Sequence, residues 1–353
     1  MTDPAGRVLA RLPRLPTALV GSYVQPDWLV DRDNLGRRAP PRVRAEDVWR
    51  VPAPHLTEAF DDATVLAIRE QERAGVDIIG DGEIRRESYS CTFATALGGI
   101  DAAKPGSVLD RRGKPSTVPR VVGPVRWHAP ILEHDVALLR RSTGRAIKMT
   151  LPGPFTLAQL AQDEHYRDPG ALAMAFAAAV NAEIRFLHAA GADIVQIDEP
   201  YLEARPAAAR DYGLAAIERA LRGVTGATAL HICFGYGPID RGFAKPGSYA
   251  FLPELERCSV NIVSLEAAQP RLDLAVLARL PSKVIMLGVL DLGTLAIETV
   301  DQVGGRIRDA LDRVPPERLV IAPDCGMKYL TRRAAAGKMA AMVAAAAMIR
   351  ARL

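Results

Sequence analysis

Residues 193–200 read DIVQIDEP and residues 228–233 read TALHIC. Each begins as a short apolar, β-branched run and stops at side chains with chemistry: Asp198 and Glu199 in one, His231 and Cys233 in the other. The runs are continuous rather than alternating, as in parallel strands covered on both faces. The same kind of run recurs as TALVGS (17–22), VDIIGD (76–81), AIKMTL (146–151), VNIVSLE (260–266), VIMLGVLD (284–291) and LVIAPDC (319–325). That makes eight. Helical stretches fall between them: one from Thr57 to Gly75, one opened by Asp168 and Pro169 and closed at Gly191, one over VDQVGGRIRDALDRV, and an Ala-rich one at the C-terminus. Eight β–α pairs predict a (β/α)8 TIM barrel. A doubly wound open sheet is the alternative, weakened because no G-x-G-x-x-G follows the first strand.

One barrel domain over residues 1–353 suits the length. Two segments break its rhythm, about 26–55 and 84–145. They are expected as insertions covering the site at the C-terminal face of the strands. Hydrophobic residues make up 49%, mean hydropathy is +0.04 and net charge is +4. No basic stripe with interleaved aromatics appears, so nucleic acid is not an expected partner. The N-terminus lacks the apolar core of a signal peptide, and the Ala-rich C-terminal stretch is broken by charge, so no membrane span is expected. Four cysteines in this length do not suggest a disulfide scaffold. The expected setting is the cytoplasm.

Barrel proteins collect their chemistry where the strands end. Here those ends carry Ser22, Asp81, Glu83, Asp198, Glu199, His231, Cys233, Glu266, Asp291, Asp324 and Cys325. His231 and Cys233 are two apart, so on a strand both face one way. With Glu266 and Cys325 they offer one imidazole, one carboxylate and two thiolates, a donor set suited to Zn²⁺. Two thiolates and a carboxylate leave such a site with a net charge of about −1. That is poor for generating hydroxide and good for binding a thiol and keeping it nucleophilic. Cys91 and Cys258 read as buried hydrophobes. His55, His128, His134, His165 and His188 read as structural or surface residues.

VQIDEP, HIC and APDCGMK together resemble the catalytic domain of cobalamin-independent methionine synthase and its short single-domain relatives, which include epoxyalkane:coenzyme M transferase. The resemblance runs from LVGSYVQP to the last helix, and APDCGMK is its most specific piece. It implies zinc-dependent transfer of a methyl group to a thiol, foremost homocysteine. The zinc ligands it implies are His231, Cys233, Glu266 and Cys325. The residues it implies for holding the amino-acid thiol are Ser22, Glu83 and Asp198; carboxylates suit an ammonium. Asp198 and Asp291 are the candidates for acid–base catalysis. The chain departs from the folate-using pattern in two places: Gly293 stands where that pattern has a His, and Leu160 where it has a Trp. The stretch between Cys233 and Glu266 is also longer, with GYGPIDRGFAKPGSYAF inserted. The methyl donor therefore stays open between a folate and a corrinoid, which a corrinoid protein could deliver. An epoxide electrophile is the rival, with Arg271 in LEAAQPR as a grip for a sulfonate. A third reading is a non-catalytic barrel that holds zinc structurally or docks a corrinoid protein.

Overall fold

The computed structural model describes residues 3–37, 40–111, 113–236 and 244–353. Ten strands are present among them: β1 Ile78–Gly80, β2 Gly98–Leu109, β3 Pro115–Arg126, β4 Ala146–Pro152, β5 Gln162–Asp163, β6 Ile194–Asp198, β7 Ala227–Ile232, β8 Ile262–Leu265, β9 Val284–Gly288 and β10 Leu319–Ala322. Seven form one parallel sheet in the order β1-β4-β6-β7-β8-β9-β10. Its two edges are joined by residues 17 and 18. Thr17 bridges to Ile321 on β10, and Ala18 bridges to Ile78 on β1. Ala18 N donates to the Ile321 carbonyl at 3.0 Å, and Ile78 N to the Thr17 carbonyl at 2.9 Å. The first of the eight expected runs is thus too short to count as a strand, yet it closes the (β/α)8 barrel.

Closure separates two apolar cores. Ala18, Val20, Ile194, Ala227, Ala229, Ile262, Val284, Met286, Val320 and Ala322 fill the barrel interior. Their spacing of two along each strand is what inward-facing positions require. Ala5 and Val8 of the helix Pro4–Leu9 pack against the same cluster. A much larger cluster packs the outer faces of the strands against the helices. Helix Ala53–Ala74 ends at Gly75, whose φ of 89° is left-handed. It starts before the expected Thr57, because Pro54 falls in its first turn, where no backbone N–H is needed. Helix Pro169–Ala189 is capped by Asp168 as expected. It is also long and apolar enough to cross a membrane by length and composition, but it packs against helix Leu214–Leu221 and β3.

The segment 84–145 is not wholly an insertion. Helix Glu133–Ser142 leads into β4 and is one of the barrel's own helices. The added part is the antiparallel hairpin β2–β3, on which β5 lies parallel to β3. The turn between β2 and β3 carries Arg111, and the segment 26–55 carries Pro40 and Arg42; all three line a pocket at the carboxyl ends of the strands.

Candidate functional site

Register sets the centre of this pocket. Asp198 on β6 pairs with His231 on β7, and His231 pairs with Ser264 on β8, so the three stand side by side in one layer. The His231 Nδ1 lies 3.0 Å from Ser264 Oγ, while its Nε2 is buried with no partner. A ring nitrogen of His231 and the sulfurs of Cys233 and Cys325 form a group whose ligand atoms all lie within 4.8 Å of one another. The Cys325 thiol shares a hydrogen bond with Cys233. With the imidazole of His231, that contact holds Cys233 well below the usual thiol range against burial. The same contact and burial push Cys325 well above it. A low-lying thiolate, a second thiol and an unpartnered imidazole nitrogen form a donor set that fits zinc.

Glu266 stands beside this group, fully buried. One of its carboxylate oxygens accepts from Phe234 N at 2.8 Å, and the other pairs with the buried ammonium of Lys245. Burial drives its pKa up to about 8 against the pull of Lys245. Tyr249 fixes its backbone, accepting from Glu266 N at 2.8 Å. Asp324, next to Cys325, accepts from the backbone N–H groups of Ala267, Ala268 and Gln269 at 2.6–3.1 Å. It therefore clamps the chain just after Glu266. Lys245 comes from the inserted stretch, of which 237–243 lie outside the described residues.

Ser22, Glu83 and Asp198 line the same pocket. Glu83 has a φ of 52°, a left-handed conformation that costs a non-glycine residue energy and is characteristic of functional sites. One oxygen of Glu83 accepts from Thr150 Oγ1 at 3.1 Å, and the other is buried without a partner, as is Ser22 Oγ. Gly326 leaves room for Ser22, and Gly21 for Glu83, since a Cβ on either would collide with that side chain. Burial drives Asp198 up to about 7, with Glu83 adding to the rise and His231 and Gln196 opposing it. The pocket spans about 490 Å³ when the space open to solvent at its mouth is included.

Several sequence expectations land elsewhere. Asp291 does not line this pocket; its carboxylate accepts from Gly293 N at 2.8 Å and shapes its own turn. Strand ends often use Asp in this way, and the spacing alone could not tell the two roles apart. Arg271 lines a separate cavity with Asp291 and Arg306. Gly293 and Leu160 are also outside the pocket. Cys91 and Cys258 are buried away from the thiol pair; burial pushes Cys258 up to about 12. Ser264, Lys245 and Arg42 were not singled out from the sequence, and Asp324 was named there only as a strand end. For Ser264 a signal existed, because it lies two residues before Glu266 on a strand and so shares its face.

The fold and these side chains define a class: a (β/α)8 barrel with a thiol-rich candidate metal centre at the carboxyl ends of its strands. The chain belongs to the cobalamin-independent synthase catalytic-domain family, whose model matches residues 15–348. Methionine synthase of Saccharolobus solfataricus is 32% identical over 347 residues, covering 97% of each chain. Methionine synthase of Thermococcus kodakarensis is 31% identical over 343 residues, covering 96% of this chain and 94% of its own. Among solved structures, the B12-independent methionine synthase of Shewanella sp. W3-18-1, in complex with selenomethionine, superposes with a TM-score of 0.87 at 33% identity, covering 96% of this chain and 98% of that one.

Proposed function

We propose that this chain is a zinc-dependent methyltransferase that converts homocysteine to methionine, acting as one domain in the cytoplasm. The observation that carries this is the convergence of His231, Cys233 and Cys325 in one pocket with Ser22, Glu83 and Asp198. The relatives' names and the selenomethionine complex of the Shewanella protein, which holds the selenium analogue of the product, support the same reading.

His231 Nε2, Cys233 and Cys325 would hold the metal, with Glu266 as the fourth ligand and the one that yields. When bound, zinc lowers the pKa of an incoming thiol and keeps its sulfur nucleophilic. Ser264 fixes the ring of His231 by accepting from Nδ1–H, which leaves the Nε2 lone pair facing the pocket. Glu83 and Asp198 receive the ammonium of the amino acid, and its arrival favours the ionised form of Asp198, whose own pKa is near 7. Ser22 Oγ is free to donate to the substrate carboxylate. Asp198 is also the group here that can hold or give up a proton near neutral pH, so it carries the acid–base role. Asp291 takes no part. The donor is a methyl-folate or a methyl-corrinoid. Gly293 and Leu160 stand where the folate-using pattern has a His and a Trp, so a corrinoid is favoured. The coenzyme M alternative loses its main support, because Arg271 does not face the pocket.

The test is methionine formation from homocysteine by zinc-loaded protein, with 5-methyltetrahydrofolate and methylcobalamin as separate donors. Methionine from either one is the expected result. Turnover of epoxypropane with coenzyme M, and none with homocysteine, would reject the reading.

A further inference from the structure

Arg42 reaches the pocket from outside the barrel strands and is only 9% exposed. Its Nη1 donates to Tyr89 Oη at 2.9 Å, and the guanidinium lies 5.3 Å from the centre of the Tyr89 ring. Tyr201 and Tyr236 line the same pocket. Among the described residues, no carboxylate pairs with it. Elsewhere this chain supplies one: Arg86, 2% exposed, is paired with Asp81 at 3.1 Å. A guanidinium removed from water without a counter-charge is costly, and it is retained most readily where a ligand brings the anion.

Two further polar side chains share the pocket with Arg42. Arg111, on the β2–β3 turn, lines the same pocket. The hydroxyl of Tyr201, which also lines it, is buried without a partner. We propose that Arg42, with Arg111 and Tyr201, seats an anionic group, a carboxylate or a phosphate, carried by the methyl donor. This rests on the methyl-transfer reading. The groups assigned to the amino acid, Ser22, Glu83 and Asp198, belong to the ends of barrel segments and their adjoining turns. Arg42 and Arg111 come from added segments outside the barrel strands, so they line the pocket independently of the groups assigned to the amino acid. A planar guanidinium with several donors suits both oxyanions.

The experiment is calorimetric titration of the zinc-loaded full chain, saturated with homocysteine, with inorganic phosphate and with glutarate. At least one anion binds while homocysteine stays bound, and which one distinguishes phosphate from carboxylate recognition. Arg42→Gln weakens that binding about tenfold or more, and Arg42→Lys, which keeps the charge, restores part of it. Zinc content and homocysteine affinity stay at parent values in both variants, which also shows that they fold. Three results overturn the proposal: no binding of either anion by the parent, parent-like binding by Arg42→Gln, or expulsion of the anion by homocysteine. The last would give the seat to the acceptor's own carboxylate. A parent protein that fails to bind homocysteine in a separate titration contradicts the methyl-transfer reading, and the donor assignment falls with it.

Discussion

Replacing Ser264 by Ala tests whether the imidazole of His231 is prepared for a metal. For Nε2 to present a lone pair, the proton must sit on Nδ1, and Ser264 Oγ at 3.0 Å is its acceptor. Ser264 is 1% exposed and His231 3%, so water cannot readily take over. Losing the acceptor leaves a buried N–H unsatisfied, which costs about 1–3 kcal/mol. At about 1.4 kcal/mol per tenfold, that corresponds to roughly 5- to 150-fold in affinity. Loss of such an outer partner typically costs a metal site about 10–100-fold, in agreement. In the metal-free protein the ring can switch tautomer, so the penalty falls on the bound state. The assay is competition for zinc against a chromophoric chelator at neutral pH, with unfolding of the metal-free protein as a control. Ser264→Ala should bind zinc about 10–100-fold more weakly with little change in metal-free stability. Ser264→Thr, which keeps the hydroxyl, should stay near the parent. Parent-like zinc affinity in Ser264→Ala, or a loss matched by an equal loss of metal-free stability, would refute the reasoning.

Two further predictions concern groups around the site. Lys245→Met strips Glu266 of its buried partner and should destabilise the metal-free protein by roughly 3–5 kcal/mol in urea unfolding; a change below about 1 kcal/mol would show that the pair carries little weight. Asp135 lies against Arg85 at 3.3 Å, and burial, reinforced by Asp81, raises it from 3.8 to about 6. A raised carboxyl contributes stability that is complete below its unfolded pKa and is lost as pH rises through the native one. Asp135→Asn removes that slope, so the variant should gain on the parent by up to about 3 kcal/mol between about pH 4 and pH 7. A stability difference that does not change with pH counts against the assignment.

The barrel was legible because its strands are buried on both faces and therefore spelled as unbroken apolar runs. The hairpin was not. β2 contains Pro105 and β3 contains Pro115, Pro119 and Pro124, residues that depress strand propensity and are tolerated here on a sheet of only three strands. The thiol pair and His231 were readable because each ends a barrel strand, and register then brings them together. Asp291 met the same criterion and faces elsewhere, because the turn after β9 consumes its carboxylate. Arg42 and Lys245 could not be placed from sequence. Both sit in added segments whose path is set by tertiary packing rather than by periodicity.

X-ray absorption at the zinc edge is the most direct test of the central claim, that Cys233, Cys325 and His231 surround one cation able to take a substrate thiol. The purified, zinc-loaded protein should show two sulfur neighbours from Cys233 and Cys325, together with nitrogen and oxygen. Adding homocysteine should raise the sulfur count to three. Protein that retains no zinc, or a sulfur count that homocysteine leaves unchanged, would contradict it.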